Sequence, residues 1–438
     1  MNKRELKPKE IVKELDRYII GQDEAKRAIA IAIRNRWRRQ KVKGIMREEI
    51  LPNNLILIGP TGVGKTEIAR RIARLVDAPF MKVEASKYTE VGYVGRDVEA
   101  MVRDLMNISV NMVRVRRQIE VAERARERGE ERLLDLLLPG EDKEKQKESR
   151  EKLRKLLRGR ALKDRYVDIP LYVQTFPLIE IFGPMGMEEI NTDLQDMMSS
   201  IAPKKRKTKR VKVDEAKEIL AQEEAQKLVD MEEVIGKAKE KVENSGIIFI
   251  DELDKIVGAD GRGGPDVSRA GVQRDLLPIV EGCNVTTKYG MVRTEHILFI
   301  AAGAFTSSKP SDLIPELQGR FPIRVELTPL KKEDFKRILT EPENALIKQY
   351  TALFKTEKVD ISFDDKAIDA IAEYATIVNE TTDDIGARRL QTIMFTLMEN
   401  WLYELPKRSF KEVHIKERDV RDRLKDIVKN VDMAKYIL

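Results

Sequence analysis

Between residues 55 and 66 the chain reads Leu55-Ile56-Leu57-Ile58-Gly59-Pro60-Thr61-Gly62-Val63-Gly64-Lys65-Thr66. Four consecutive apolar residues fit a strand buried on both faces, as in a parallel sheet. The next eight match G-x-x-x-x-G-K-[ST]. Glycines there let backbone N–H groups curl around phosphates, and the following helix directs its positive end at them. Lys65 reaches the β- and γ-phosphates as a point charge, and the Thr66 hydroxyl ligates Mg²⁺. The buried strand before and the helical pattern after are the context that separates a phosphate loop from a glycine-rich turn. The predicted cofactors are therefore ATP and Mg²⁺.

A second apolar run, Ile247-Ile248-Phe249-Ile250, ends in Asp251-Glu252. Carboxylates at the C-terminal edge of such a strand stand where open α/β sheets bind ligands. Asp251 is predicted to hold the metal, directly or through water, and Glu252 to polarise the attacking water as general base. Phe80-Met81-Lys82-Val83 and Ile297-Leu298-Phe299-Ile300 read as further strands of the same sheet. The 185 residues from Thr66 to Asp251 are far more than the roughly 30 of a simple βαβ unit. Something large is inserted, and its texture begins near residue 110, where Arg and Glu dominate up to Arg132.

The predicted fold class is α/β: a P-loop core with a parallel sheet (1–109 and 244–327), an inserted, mainly helical domain (110–243) and a small, mainly helical C-terminal domain (328–438). Pro8 to Gln40 reads as helical with a break at Gly21 and Asp23 as N-cap. Asp214 to Lys241 reads as one helical stretch. Leu390, Ile393, Met394, Leu397, Met398, Trp401 and Leu402 trace one helical face and read as core. Val359–Phe363 and Val413–Ile415 are suited to pair as a small sheet.

Among 438 residues, 82 are basic and 75 acidic, a net charge of +7. That excess is small for the number of charges, and one run concentrates it: Lys204-Lys205-Arg206-Lys207 with Lys209 and Arg210. It reads as a solvated loop, so no specific nucleic-acid partner is expected. A charged share of 36% is the enrichment common in thermophile proteins. One cysteine, Cys283, and two histidines, His296 and His414, exclude an intrachain disulfide and multi-cysteine zinc sites. The polar N-terminus resembles no signal peptide, and no apolar run approaches the roughly 20 residues that span a membrane. A cytoplasmic location is expected.

The phosphate loop, the acid pair and Gly386-Ala387-Arg388 resemble the AAA+ ring ATPases. The match narrows at Arg17-Tyr18-Ile19-Ile20-Gly21-Gln22, Gly92-Tyr93-Val94-Gly95-Arg96-Asp97, Val280-Glu281-Gly282-Cys283 and Glu316-Leu317-Gln318-Gly319-Arg320-Phe321-Pro322-Ile323-Arg324. These resemble the HslU (ClpY) family almost end to end, the insertion included. The resemblance implies a homohexameric chaperone ring that unfolds protein substrates with ATP and feeds them to a threonine peptidase ring, HslV (ClpQ), in a proteasome-like complex. It also implies residue roles. Ile20 lines the adenine site, and Gly62, Val63, Gly64, Lys65, Thr66 and Glu67 wrap the phosphates. Arg320 is the arginine finger for the neighbouring subunit, and Glu316 belongs to the same nucleotide environment. Arg388 touches nucleotide from the C-terminal domain. Gly92, Tyr93, Val94 and Gly95 form a pore loop that grips substrate, and Tyr436, Ile437 and Leu438 dock on the peptidase.

One departure stands out. Many AAA+ proteins carry a polar side chain at the end of the strand after the acid pair. Here Ile297–Ile300 leads into Ala301-Ala302-Gly303-Ala304, with nothing polar before Thr306. Two alternatives remain open at this stage: an AAA+ motor on DNA, to which the basic run points, and a nucleotide-gated scaffold without turnover, against which Asp251-Glu252 argues.

Overall fold

A computed structural model describes residues 6–89, 96–139, 147–159, 161–173, 205–257, 269–405 and 411–429. The expected pore loop Gly92–Gly95, Lys204 of the basic run and the tail Tyr436–Leu438 lie outside them. The strands are β1 (Leu55–Ile58), β2 (Phe80–Glu84), β3 (Tyr166–Val173), β4 (Lys205–Lys212), β5 (Ile247–Asp251), β6 (Asn284–Thr287), β7 (Gly290–Arg293), β8 (Leu298–Gly303), β9 (Ile323–Glu326), β10 (Asp360–Phe363) and β11 (Glu412–Ile415). The chain forms two compact units, one of residues 110–238 and one of the sequence on either side.

The larger unit is built on a five-stranded sheet ordered β2-β5-β8-β1-β9, with every pairing parallel. The α/β class expected from the apolar runs is borne out. β1, β5 and β8 read as unbroken apolar runs because both of their faces are covered. Leu55, Leu57, Ile247, Phe249, Leu298 and Ile300 share one face, packed against Ile11, Leu15, Ile29 and Ile33 of the N-terminal helices and Ile68 and Ile72 of helix Lys65–Leu75. Truncating a buried Phe such as Phe249 to Ala costs about 3–5 kcal/mol. Since the strands are parallel, Ile58, Asp251 and Gly303 all finish at the same edge, where Ile58 lies opposite Gly303 in register.

The C-terminal stripe is core: Leu390, Ile393, Met394, Leu397 and Met398 of helix Arg388–Glu404 are buried against Phe335, Leu339, Ile371 and Ala375, with Trp401 and Leu402 at the margin. β10 and β11 do pair, in parallel.

Three local expectations are corrected. Gln22, with φ of 60°, holds the cap position of helix Asp23–Lys41, so Asp23 is its first residue. The Gln22 side chain is engaged elsewhere: its Nε2 donates to Thr328 O (2.8 Å) and its Oε1 accepts from Thr328 N (3.0 Å). The stretch Asp214–Lys241 is two helices, Val213–Leu228 and Met231–Ser245. Asp230 divides them, because its carboxylate accepts from the Glu232 and Glu233 amides and starts the second. The basic run is a strand rather than a loop. β4 pairs antiparallel with β3, and Val211 joins Val167 and Ile169 in a small core with Leu133, Leu134, Leu157 and Leu220. Lys209, Arg210 and Lys212 are exposed, and Lys209 pairs with Glu215 and Lys212 with Asp164.

Candidate functional site

The phosphate loop leaves β1 at Gly59, whose N–H donates to Gly303 O at the end of β8 (3.2 Å). Gly62 has φ of 77°, and a Cβ placed on it would stand 1.9 Å from Ile385 O, inside the backbone of the turn Ile385–Arg388. Only glycine permits that approach. Ala387 N donates to Gly62 O (3.2 Å), so the Gly386-Ala387-Arg388 turn is seated on the loop. Buried Arg389 builds the turn from behind, donating to Asn379 Oδ1 (3.1 Å), Thr382 Oγ1 (2.8 Å) and Asp383 O (2.8 Å), while Asn379 Nδ2 donates to Gly386 O.

Lys65 opens the following helix and is almost wholly buried. Its Nζ donates to Gly59 O (2.5 Å) and Pro60 O (2.7 Å). Burial pushes its pKa below the usual lysine range; Asp251 and Asp254 oppose that, and Arg388 adds to it. Next to it, Thr66 Oγ1 donates to Asp251 Oδ2 (3.4 Å), bringing the two predicted metal ligands together. Lys82 from β2 also reaches Asp251 Oδ2, at 2.8 Å. Glu252 sits in the left-handed region (φ 56°), which turns its exposed side chain off the strand line. Ser86 Oγ donates to Glu252 Oε2 (2.8 Å).

The N-terminal segment closes on the same loop. Ile19 Cγ2 lies 4.0 Å from where a Cβ on Gly64 would stand, and Ile20 is 6% exposed. Glu67 faces Arg71 (2.6 Å), whose guanidinium lies over the Tyr18 ring at 3.9 Å. Tyr18 Oη and Arg17 Nε both donate to Glu343 (2.7 and 2.8 Å).

Arg320 and Glu316 are not part of this convergence within one chain. Arg320 precedes β9, whose Ile323 lies opposite Leu55, and Asn54 Nδ2 donates to Arg320 O (3.2 Å). The arginine therefore sits at the edge of the sheet where strands begin, with β1 between it and its own phosphate loop. Its guanidinium donates to Glu281 (2.8 and 3.0 Å), and Glu316 is exposed on the same short helix.

Five participants carry no conspicuous signal in the sequence: Asp254, Lys82, Ser86, Asn379 and Arg389. Asp254 had the clearest clue, an acid three places after Asp251 on the same run. A Ser-His-Asp chain is also formed, with Ser362 Oγ 2.7 Å from His414 Nδ1 and His414 Nε2 2.8 Å from Asp364 Oδ1. It lies on the exposed face of β10 and β11 rather than in a cleft, and reads as a surface hydrogen-bond chain. Cys283 is half-buried, and burial pushes its thiol up, away from nucleophilic use. Among the described residues no group of three metal-ligating side chains occurs, and no helix is long and apolar enough to cross a membrane.

A parallel sheet that delivers a glycine loop, its lysine and an acid pair to one edge defines a P-loop ATPase. Residues 55–150 match the ATPase family associated with various cellular activities (AAA), and residues 177–324 match the AAA domain (Cdc48 subfamily). The ATP-dependent protease ATPase subunit HslU of Persephonella marina is 55% identical over 443 residues, covering 99% of each chain. Its namesakes in Magnetococcus marinus (54%; 99% of this chain, 100% of the relative) and Thermoanaerobacter pseudethanolicus (52%; 98% and 99%) are similarly close. The chain belongs to the HslU family, and it is an ATP-binding AAA+ ATPase.

Proposed function

We propose that this ATPase is the unfolding motor of an ATP-dependent protease: a cytoplasmic homohexameric ring that pulls protein substrates through its pore into an HslV-like threonine peptidase ring. The relatives' name, ATPase subunit of an ATP-dependent protease, supports the protease partnership. The convergence of Lys65, Thr66, Asp251 and Glu252 on one edge of the sheet carries the chemistry.

In this reading Gly62, Val63 and Gly64 turn backbone N–H groups to the phosphates, and Lys65 exchanges its two loop carbonyls for phosphate oxygens. The Thr66 hydroxyl and the Asp251 carboxylate are hard oxygen donors within 3.4 Å of each other, a set suited to Mg²⁺. Thr66 and Asp251 would hold the ion, which would supply positive charge against the phosphates. Glu252 orients the water for in-line attack on the γ-phosphate and takes its proton. Ile20 packs beside adenine, Glu67 steadies the loop through Arg71, and Arg388 adds positive charge from the turn on Gly62.

Arg320 and Glu316, held at the far edge of the sheet, serve the nucleotide of a neighbouring subunit. That makes turnover depend on the ring. Gly92, Tyr93, Val94 and Gly95 grip substrate, and Tyr436, Ile437 and Leu438 dock on the peptidase. Within the basic run, the ion pair of Lys209 with Glu215 occupies one of the charges a DNA motor would use.

The test compares the parent with Glu252→Gln. The variant is expected to bind ATP as the parent does and to lose on the order of 10²-fold or more in hydrolysis. A variant that turns over ATP at the parental rate removes Glu252 from the chemistry.

A further inference from the structure

β8 ends without a polar side chain, yet its end is not a polar void. A Cβ built on Gly303 would lie 2.8 Å from Asp254 Oδ1 and 2.6 Å from the Phe305 ring. The space into which a side chain at 303 would project is therefore taken by a carboxylate from the adjacent strand's exit. The local backbone explains how it gets there. Glu252 adopts the left-handed conformation directly after β5, and the 3₁₀ turn Leu253–Ile256 then buries Leu253 and Ile256 and swings Asp254 back over β8. Gly303 is also the residue whose carbonyl accepts from Gly59 N, so Asp254 stands beside the start of the phosphate loop. It is close enough that its charge acts on Lys65, second only to Asp251 among the acids that do so. Among the described residues the Asp254 carboxylate has no hydrogen-bond or ion-pair partner, whereas Asp251 has Lys82 and Thr66 and Glu252 has Ser86.

We propose that Asp254 is a positioning residue for ATP hydrolysis, replacing the polar side chain that β8 lacks. A carboxylate repels phosphate oxygens, so its partner there is a hydrogen-bond donor. The donor we assign is a water at the γ-phosphate side of the site, held by Asp254 Oδ1 for Glu252 to polarise. This deepens the hydrolytic role proposed for Glu252 and rests on it. Gly303 is glycine in this account because any side chain there would collide with both the Phe305 ring and the carboxylate.

The experiment measures steady-state ATPase kinetics and equilibrium binding of a non-hydrolysable ATP analogue for the full-length parent, Asp254→Ala, Asp254→Asn and Glu252→Gln. Asp254→Ala is expected to lower kcat by about 10²-fold, the low end of a positioned proton-transfer contribution, while KM and analogue affinity stay within about threefold. Asp254→Asn, which keeps an acceptor oxygen, is expected to recover part of kcat. Parental kcat in Asp254→Ala overturns the proposal. So does loss of analogue binding in step with kcat, which would make Asp254 a support of the loop only. If Glu252→Gln retains parental turnover, the reading on which the proposal rests fails; an inactive Glu252→Gln beside a fully active Asp254→Ala overturns the role of Asp254 alone.

Discussion

Lys65 brings a positive charge to a place where only 9% of the residue remains exposed. Its ammonium is satisfied by two carbonyls of its own loop and by the field of Asp251 and Asp254. An ammonium with removable partners suits the proposed role of donating to phosphate oxygens. Lys65→Ala is accordingly expected to lower ATP affinity by at least tenfold, since a charge-assisted contact contributes about 1.5–3 kcal/mol; fluorescent-nucleotide titration measures it, and unchanged affinity contradicts it. A second residue sets a pH limit. The Nδ1 of His296 is buried without a partner among the described residues. Burial, reinforced by Arg39, Arg293, Arg36 and Arg47, pushes its pKa from 6.5 down to about 4. Between those values the unfolded chain takes up a proton that the folded chain excludes, so stability falls as the pH drops from 6.5 towards 4. The residue keeps some contact with solvent, which reduces the effect to roughly 1–2 kcal/mol. His296→Asn should flatten this acid loss in urea melts at pH 7 and 4.5; an unchanged difference between the two pH values would exclude His296 as its source.

At the scale of elements, the contact to examine is the turn Ile385–Arg388 against the phosphate loop. Gly62→Ala places a methyl where Ile385 O already lies, so one of the two backbones must yield. The variant is expected to raise the KM for ATP at least tenfold while the sheet remains folded. Arg389→Met removes the guanidinium behind the turn and leaves Asn379, Thr382 and Asp383 O without their donor. It should destabilise by about 1–3 kcal/mol in urea unfolding and raise KM as well. Stability loss without a change in KM would show that the turn does not couple to nucleotide. The same region marks how far sequence alone reaches. The strand–loop–helix around Gly59–Thr66 and the stripe Leu390–Met398 were legible because their periodicity is local. Asp251 and Thr66, 185 residues apart, were joined only through knowledge of what a phosphate site requires. Arg389 and Asn379 carry no mark of their own, because their partners are set by the turn's three-dimensional path. β4 misled because six of its eight residues are charged and only Val211 is apolar, and strand pairing with β3 is not visible from one strand.

At the scale of the whole molecule, the separation of Arg320 from Lys65 by the length of β1 is the feature that calls for a neighbour. Arg320→Ala should lower ATPase activity by on the order of 10³-fold. Mixed with Glu252→Gln subunits, it should regain activity, because a site with its own Glu252 can then receive the other subunit's Arg320. Failure to regain activity in assemblies proven to be mixed would place the arginine's action within its own chain. The unfolding role is tested most directly by combining this protein with an HslV-like peptidase ring and following degradation of a stably folded substrate with ATP present or absent, using the parent or Glu252→Gln. The account predicts degradation only with ATP and the parent, accompanied by a complex of both rings. If ATP is hydrolysed and the peptidase is active on unstructured peptides, yet the folded substrate stays intact, the protein is not the unfolding motor described.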